Sequence, residues 1–286
     1  MRVGIGLPST IPGTSGSLIL DWARHADAGP FSSLGVLDRL VYPNYDSLIT
    51  LAATAAVTSR VRLLTSVLLA PLRSPVLLAK QAASIDALSS GRLTLGLGVG
   101  SREDDYQAAG VDIHTRGKRF EEQLDILGRL WSGKPLSDTI GPVGPTPVQS
   151  GGPEILLGGS TPAALKRAAR WGNGYISSGG AQQAVPAFQI VQDAWREAAR
   201  PGKPRFVSCG YFGLGENARE RSGQYIRHYY SFAGPYVGAI VSTMPASPEE
   251  IATFIQSFID AGADEVMLWP CIPELDQVER LAQIVG

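Results

Sequence analysis

The sequence predicts a closed (β/α)8 TIM barrel, of the α/β class, on three observations. Short runs rich in Val, Ile, Leu and Gly alternate with segments of helical periodicity from one end of the chain to the other. Most of these runs are apolar throughout, as expected of parallel strands that are covered on both faces. No linker or change of composition divides the 286 residues. We therefore expect one barrel domain over 1–286, with a doubly wound open sheet as the alternative.

Eight strands are predicted, and several of the helices between them carry clear start signals. Ser74 and Thr161 each precede a proline, which is tolerated at the first helical position because no N–H is needed there. Ser247 and Glu250 form a capping-box pattern, and Gly262 supplies the matching stop. The predicted strands cover 3–7, 34–37, 61–69, 93–99, 154–157, 174–177, 206–214 and 265–269.

Two long connections interrupt the regular alternation of strands and helices. Residues 132–153 follow the fourth long helix and are rich in Gly and Pro, and residues 231–246 precede the capping box. Loops of this length are uncommon in compact domains unless they form lids or binding segments. We expect both segments to be loops that contact a substrate.

Composition limits the partners that the chain can bind. Lys and Arg number 25 against 26 Asp and Glu, and no long basic run occurs, so neither nucleic acid nor membrane is an expected partner. The two cysteines, Cys209 and Cys271, are far apart and belong to no CxxC pair, which fits a reducing cytoplasm. No stretch has the roughly 18 apolar residues of a membrane span. We expect a cytoplasmic protein that acts on a small molecule.

Several reaction classes lack their sequence signatures. There is no GxxxxGK[ST], GxSxG or HExxH motif, and His25, His114 and His228 stand alone, so no metal site is expected. Residues 96–100 read GLGVG but fail as a dinucleotide fingerprint, because Ser101 occupies the sixth position and no helix follows at once. Glycines here either admit a flat ligand or another backbone, or simply pack at a crowded barrel mouth.

Two strand-to-helix turns have the chemistry of anion sites. The first reads Gly158-Gly159-Ser160-Thr161 before a proline-started helix, and the second reads Ser178-Gly179-Gly180 one strand later. Free backbone N–H groups, hydroxyls and a positive helix end converge at such turns, where a phosphate can bind. Ordinary turn chemistry is the alternative interpretation.

Larger segments of the chain resemble one known family. The run SRVRLLTSVLLAPLRSP at 59–75 and the segment 79–86 look like the third strand and helix of the bacterial luciferase-like flavin oxidoreductases. The segment 91–100 is similar to their fourth strand, and the similarity continues in family order through WSG at 131–133, GGS at 158–160 and AARWGNG at 168–174. The resemblance covers nearly the whole chain.

The resemblance implies a (β/α)8 barrel that binds FMN or the deazaflavin F420 at its C-terminal mouth. It implies a cis peptide between Ser66 and Val67, in a bulge beside the central ring of the cofactor, and it assigns the phosphate to the two glycine turns. With the glycine-rich strand end, the expected cofactor-binding residues are Ser66, Val67, Gly98, Gly100, Gly158, Gly159, Ser160, Thr161, Ser178, Gly179 and Gly180.

The candidate catalytic residues follow the second and fourth strands. Asp38-Arg39 stands where many F420-using relatives carry Asp followed by His near the reacting ring. Arginine keeps its proton, so Arg39 is unable to shuttle one, although it could pair with an anionic substrate or with the reduced cofactor. Glu103, which begins the acidic run 103–105, is the other candidate proton carrier, and a solvated acidic loop is the alternative interpretation.

The expected function is an oxidoreductase of this family. F420 would support hydride transfer and FMN would support monooxygenation, and the sequence leaves both open. A flavin-free barrel lyase or isomerase of a phosphorylated metabolite and a non-catalytic flavin-binding protein remain as alternatives. The family often forms dimers, so a homodimer is also possible.

Overall fold

A computed structural model, which describes residues 1–286, closes the eight strands into one parallel barrel. Each strand pairs with the next, and β8 returns to β1 through the register Arg2↔Glu265 to Ile5↔Leu268. The predicted barrel is confirmed, and the open-sheet alternative is wrong. The strands are β1 Arg2–Gly6, β2 Ser33–Val36, β3 Arg62–Leu69, β4 Leu93–Gly98, β5 Glu154–Gly158, β6 Gly174–Ile176, β7 Arg205–Phe212 and β8 Glu265–Pro270.

Helices surround the barrel, and the predicted capping residues begin three of them. Thr161 Oγ1 accepts from the N–H of Ala164 at 3.3 Å, and Ser247 Oγ accepts from the N–H of Glu250 at 3.3 Å. Ser74 caps its helix in the same way. The helices are α1 Gly16–Ala28, α2 Ser47–Ala55, α3 Pro75–Leu88, α4 Glu103–Ala108, α5 Arg116–Trp131, α6 Pro162–Trp171, α7 Ala181–Glu197, α8 Ala218–Tyr229, α9 Tyr236–Thr243, α10 Pro248–Asp260 and α11 Asp276–Val285. None of them has the length and apolar character needed to cross a membrane.

Two segments expected to be loops contain helices. The acidic run 103–105 begins α4, and its turn is held because Asp105 and Tyr106 are buried. The connection 231–246 contains a short 3-10 turn, Ser231–Ala233, and then α9. Both predictions were wrong because acidic or glycine-rich composition says little about what a short segment packs against. Residues 132–153 are irregular apart from one bridge between Ser137 and Ile140.

The barrel interior is filled by side chains from several strands. Trp269 lies across β1, where a Cβ added to Gly6 would stand 2.1 Å from the indole ring. This glycine is therefore required by the tryptophan that fills the barrel. At the opposite end, Arg205 forms ion pairs with Glu154 and with the fully buried Glu265. The interior apolar cluster comprises Leu64, Leu156, Ile176, Val207, Cys209, Met267 and Trp269.

Candidate functional site

A cavity of about 750 Å³ opens at the C-terminal mouth of the barrel, along β3, β4, β5 and β6. This is the end at which barrel enzymes carry their active sites. Nine of the eleven cofactor-binding residues expected from the sequence line it: Ser66, Val67, Gly98, Gly100, Gly158, Gly159, Ser160, Thr161 and Ser178.

The inner wall of the cavity is shaped by Val67. The peptide between Ser66 and Val67 is cis, as expected, and the β3–β4 register shifts between Thr65 and Leu68. The Val67 side chain reaches across both neighbouring strands: a Cβ on Gly98 would stand 2.6 Å from its Cγ2, and one on Gly158 would stand 3.0 Å from its Cγ1. Glycine at these positions makes room for the valine. We expected Gly98 to leave space for another group, and that group is the Val67 side chain.

The first glycine turn presents unpaired donors to the cavity. The backbone N–H groups of Gly159, Ser160, Thr161 and Ala163 donate to no acceptor of the chain. They lie at the N-terminus of α6, whose dipole adds positive potential. The Tyr175 hydroxyl donates to the Gly159 carbonyl at 2.9 Å and so fixes the turn from the neighbouring strand.

The protonation state of Tyr175 supports this role. Burial, with a smaller contribution from Cys209, raises the pKa of Tyr175 to about 12. The hydroxyl therefore keeps its proton at neutral pH and remains a donor to the turn. The sequence analysis did not predict this role for Tyr175, because the residue lies in a short strand that reads only as apolar.

The second glycine turn is only partly used. Ser178 lines the cavity, but Gly179 and Gly180 do not. The N–H of Gly180 donates to the Gln183 side chain at 3.2 Å, and its carbonyl accepts from the Gln183 N–H at 3.1 Å. Gly180 caps α7, and the assignment of Gly179 and Gly180 to the cofactor stays a prediction.

Basic side chains, which the sequence analysis gave no role, line the same cavity. Arg116, Arg167 and His114 line the cavity. Arg167 is balanced by Glu121 at 3.1 Å, whereas Arg116 has no carboxylate within 4.0 Å and donates to the Ile113 carbonyl. The lining contains no Asp, Glu or Lys. The cavity is therefore suited to an anion at its outer end.

Asp38 does not line this cavity, and its catalytic role stays a prediction. Its carboxylate accepts from Ser47 Oγ at 2.7 Å and from the Leu69 N–H at 2.9 Å, and it pairs with Arg73 at 3.0 Å. These bonds tie the end of β2 to the end of β3. The structure thus makes Asp38 a positioning residue for the mouth of the barrel.

Arg39 and Glu103, the other catalytic candidates, also lie outside the cavity lining. The Arg39 guanidinium is 4.1 Å from the centroid of Tyr42 and 5.0 Å from that of Tyr229, and Nη1 donates to the Tyr229 carbonyl at 2.7 Å. Glu103 is exposed in the first turn of α4. The catalytic roles of Arg39 and Glu103 therefore stay predictions.

A larger cavity, of about 970 Å³, lies at the opposite end of the barrel. Charged and polar side chains surround it, including Arg2, Arg62 and Arg205 at the starts of their strands. Residues at this end usually serve stability, because the loops that carry barrel chemistry follow the strands. We therefore assign the functional site to the smaller cavity.

Comparison with known families agrees with the site. The family model described as luciferase-like monooxygenase matches residues 1–266. The chain belongs to the luciferase-like monooxygenase family. This membership confirms the resemblance on which the cofactor site was predicted. The matched residues include the segments that form the cavity.

Individual members of the luciferase-like family show how far the likeness extends. An uncharacterized protein of Mycobacterium tuberculosis is 34% identical over 185 residues, covering 55% of this chain and 64% of that protein. The chain therefore spans less than two thirds of that relative's length.

Two solved structures share the fold at low sequence identity. An F420-dependent secondary alcohol dehydrogenase in complex with an F420-acetone adduct superposes with a TM-score of 0.83 at 16% identity, over 100% of this chain and 98% of that one. The oxygenating constituent of 3,6-diketocamphane monooxygenase from Pseudomonas putida, in complex with FMN, gives 0.72 at 17% identity, over 100% and 96%.

Proposed function

We propose that this protein is a flavin-type oxidoreductase that binds F420 or FMN at the barrel mouth and acts on a small organic substrate, as one domain over 1–286. One observation carries the proposal: nine residues selected from the sequence meet around a single cavity of about 750 Å³. Family membership supports it, as do two structural relatives described with F420 and with FMN.

The residues present fit such a cofactor. Four free N–H groups at 159–163, the N-terminus of α6 and the unpaired Arg116 would hold its phosphate. Val67, which stands between Gly98 and Gly158, offers an apolar edge on which a flat ring would rest. When bound, F420 supplies hydride transfer and FMN supplies oxygen insertion.

The chain's own contribution is binding and orientation. Tyr175 fixes the phosphate turn, and Asp38 holds the ends of β2 and β3 together beside the bulge. The Cys209 thiol faces the inner wall 3.6 Å from Ser66 Oγ, and burial raises its pKa, so it stays neutral there. This wall presents no charge to the ring.

The flavin-free lyase alternative receives no support from the cavity. Such an enzyme would use a lysine or carboxylate within reach of its substrate, and the lining contains neither. A non-catalytic flavin-binding protein would differ only in turnover. Cofactor that binds but is neither reduced nor reoxidised with any donor or acceptor would favour it.

The test is a titration of the apoprotein with FMN and with F420, in which the fluorescence of the cofactor reports binding. We expect saturable micromolar or tighter binding of one of them. Ser160→Asp should weaken it at least 100-fold, because two charges 4 Å apart repel by about 4 kcal/mol at an effective dielectric constant of about 20. Ser150→Asp, at the opposite end of the barrel, is the matched control and should change nothing. Binding of neither cofactor would refute the proposal.

A further inference from the structure

Arg39 is an unusual charge in this protein. Only 9% of the residue is exposed, and no carboxylate oxygen lies within 4.0 Å of its guanidinium. Its Nε is buried without a partner, while Nη1 donates to the Tyr229 carbonyl at 2.7 Å. A buried cation without a counter-ion is costly, and aromatic faces and two carbonyls, those of Tyr229 and of Val41 at 3.4 Å, compensate it only in part. An anion is the partner that would complete the compensation.

The neighbouring carboxylates are already engaged. Asp38 is bound by Ser47, the Leu69 N–H and Arg73. Asp105 accepts from the N–H groups of Leu40 and Val41. An anion that pairs with Arg39 would therefore come from outside the chain.

A second guanidinium, that of Arg102, packs on the same aromatic ring as Arg39. Arg102 stacks 4.4 Å from the centroid of Phe232, and Arg39 lies 5.5 Å from the same ring. Arg102 is already ion-paired with Asp104, and its Nε lies 3.5 Å from Asp105 Oδ2 without a hydrogen bond. One aromatic ring thus stands between Arg39, which has no carboxylate, and a second guanidinium that is already paired.

The segment that carries this ring is weakly held. Phe232 is 47% exposed, and neither the turn Ser231–Ala233 nor α9 contains a buried residue. Segments with so few buried contacts open at low free-energy cost. Displacement of Phe232 would uncover both arginines.

The uncovered arginines would lie beside the proposed cofactor site. Gly100 and Ser101, which directly precede Arg102, line the cavity. Asp38, which directly precedes Arg39, is bonded to Leu69 at the end of the strand that carries Ser66 and Val67. A molecule held by Arg39 would therefore be next to the cofactor.

We propose that Arg39 is the specificity-determining residue for a substrate with a carboxylate group, which enters when Phe232 moves aside. For the reaction of this substrate, the inference rests on the proposed function. The binding of the substrate to Arg39 does not depend on that function. A carboxylate accepts two parallel hydrogen bonds from a guanidinium, and the tyrosines around Arg39 would contact the apolar remainder of the substrate.

The first experiment measures the binding of benzoate and of its neutral isostere benzamide by calorimetry, with and without cofactor. We expect the wild type to bind benzoate at least tenfold more tightly than benzamide. Arg39→Met should abolish this preference, and Arg39→Lys should weaken benzoate binding while keeping a preference. Arg24→Met, an exposed arginine on α1, is the control and should leave both affinities unchanged.

The outcomes separate this inference from the proposed function. Equal affinities for the two probes in the wild type, no benzoate binding, or a preference that survives in Arg39→Met would overturn it. If Arg39→Met does not fold, a benzoate affinity unchanged in Arg39→Lys would overturn it as well. Benzoate selectivity without any flavin binding would support the anion site and refute the cofactor proposal alone.

The second experiment tests the role of Phe232 by stopped-flow. Phe232→Ala should raise the association rate constant of benzoate at least threefold, because the ring no longer has to move. Tyr236→Ala, at a residue that is 78% exposed in the same segment, should leave it unchanged. An unchanged rate in Phe232→Ala would overturn the gating role.

Discussion

The close approach of Val67 to Gly98 predicts how Gly98→Ala changes the free energy of unfolding. The sign of this change depends on the residue at position 67. In the wild type, a Cβ at position 98 would stand 2.6 Å from Val67 Cγ2, about 1 Å inside the normal separation of carbon atoms. Overpacking of this kind costs about 1–3 kcal/mol. Gly98→Ala should therefore lower the free energy of unfolding by about that amount.

The same substitution should be harmless once Val67 is shortened. In Val67→Ala, the nearest remaining atom is the Cβ of residue 67, at 3.5 Å, which is ordinary contact. The backbone of Gly98 is not in the left-handed region, so the new methyl meets no strain there. Since alanine loses less backbone entropy than glycine in a strand, Gly98→Ala should then be neutral or stabilising by up to about 1 kcal/mol.

Urea denaturation followed by circular dichroism measures both effects in a double-mutant cycle. Gly158→Ala should cost less than Gly98→Ala, because its closest approach to Val67 is 3.0 Å. Gly128→Ala, on the exposed face of α5 with no atom within 4 Å, is the matched control and should stabilise slightly. A neutral Gly98→Ala in the wild type, or additive free energies in the cycle, would refute this account of the site's inner wall.

Two further predictions concern stability. Arg205→Met should lower the free energy of unfolding by about 3–5 kcal/mol, because it leaves the buried Glu265 without its cation, and a urea midpoint equal to that of Arg24→Met would contradict this. Burial raises the pKa of Asp27, but hydrogen bonds from the N–H groups of 59–61 lower it more, so the folded value lies below the ordinary one. Its stabilisation is therefore present at neutral pH and lost between about pH 5 and about pH 2, and Asp27→Asn should reduce the fall in urea midpoint between pH 7 and pH 3.

The strands and the barrel were predictable because their causes are local. Every predicted strand overlaps an observed one, with ends that differ by at most two residues. A buried parallel strand is apolar on both faces, and a helix start needs a capping residue such as Thr161. Both features can therefore be recognised from a few consecutive residues. The segments 103–105 and 231–246 were misassigned because their helices are fixed by contacts outside those letters.

The candidate site was predictable in its backbone and much less so in its side chains. Glycine turns such as Gly158-Gly159 are visible in the sequence, since few other residues allow such a turn beside a ligand. Whether Asp38 faces a substrate or binds Arg73 depends on a residue 35 positions away in the chain. Likewise, Tyr175 meets the first glycine turn, and Arg116 lines the same cavity, only because distant strands and helices are adjacent in the barrel.

The sequence by itself determined the order of the eight strands, the glycine turns and the family to which the chain belongs. Only the tertiary structure decided which charges are compensated: Asp38 has three partners, whereas Arg39, its neighbour in the chain, is buried among aromatic rings without a carboxylate. The physical reason is that a hydrogen bond or ion pair joins residues that are close in space. Closing eight strands into a ring brings together residues that the chain keeps far apart.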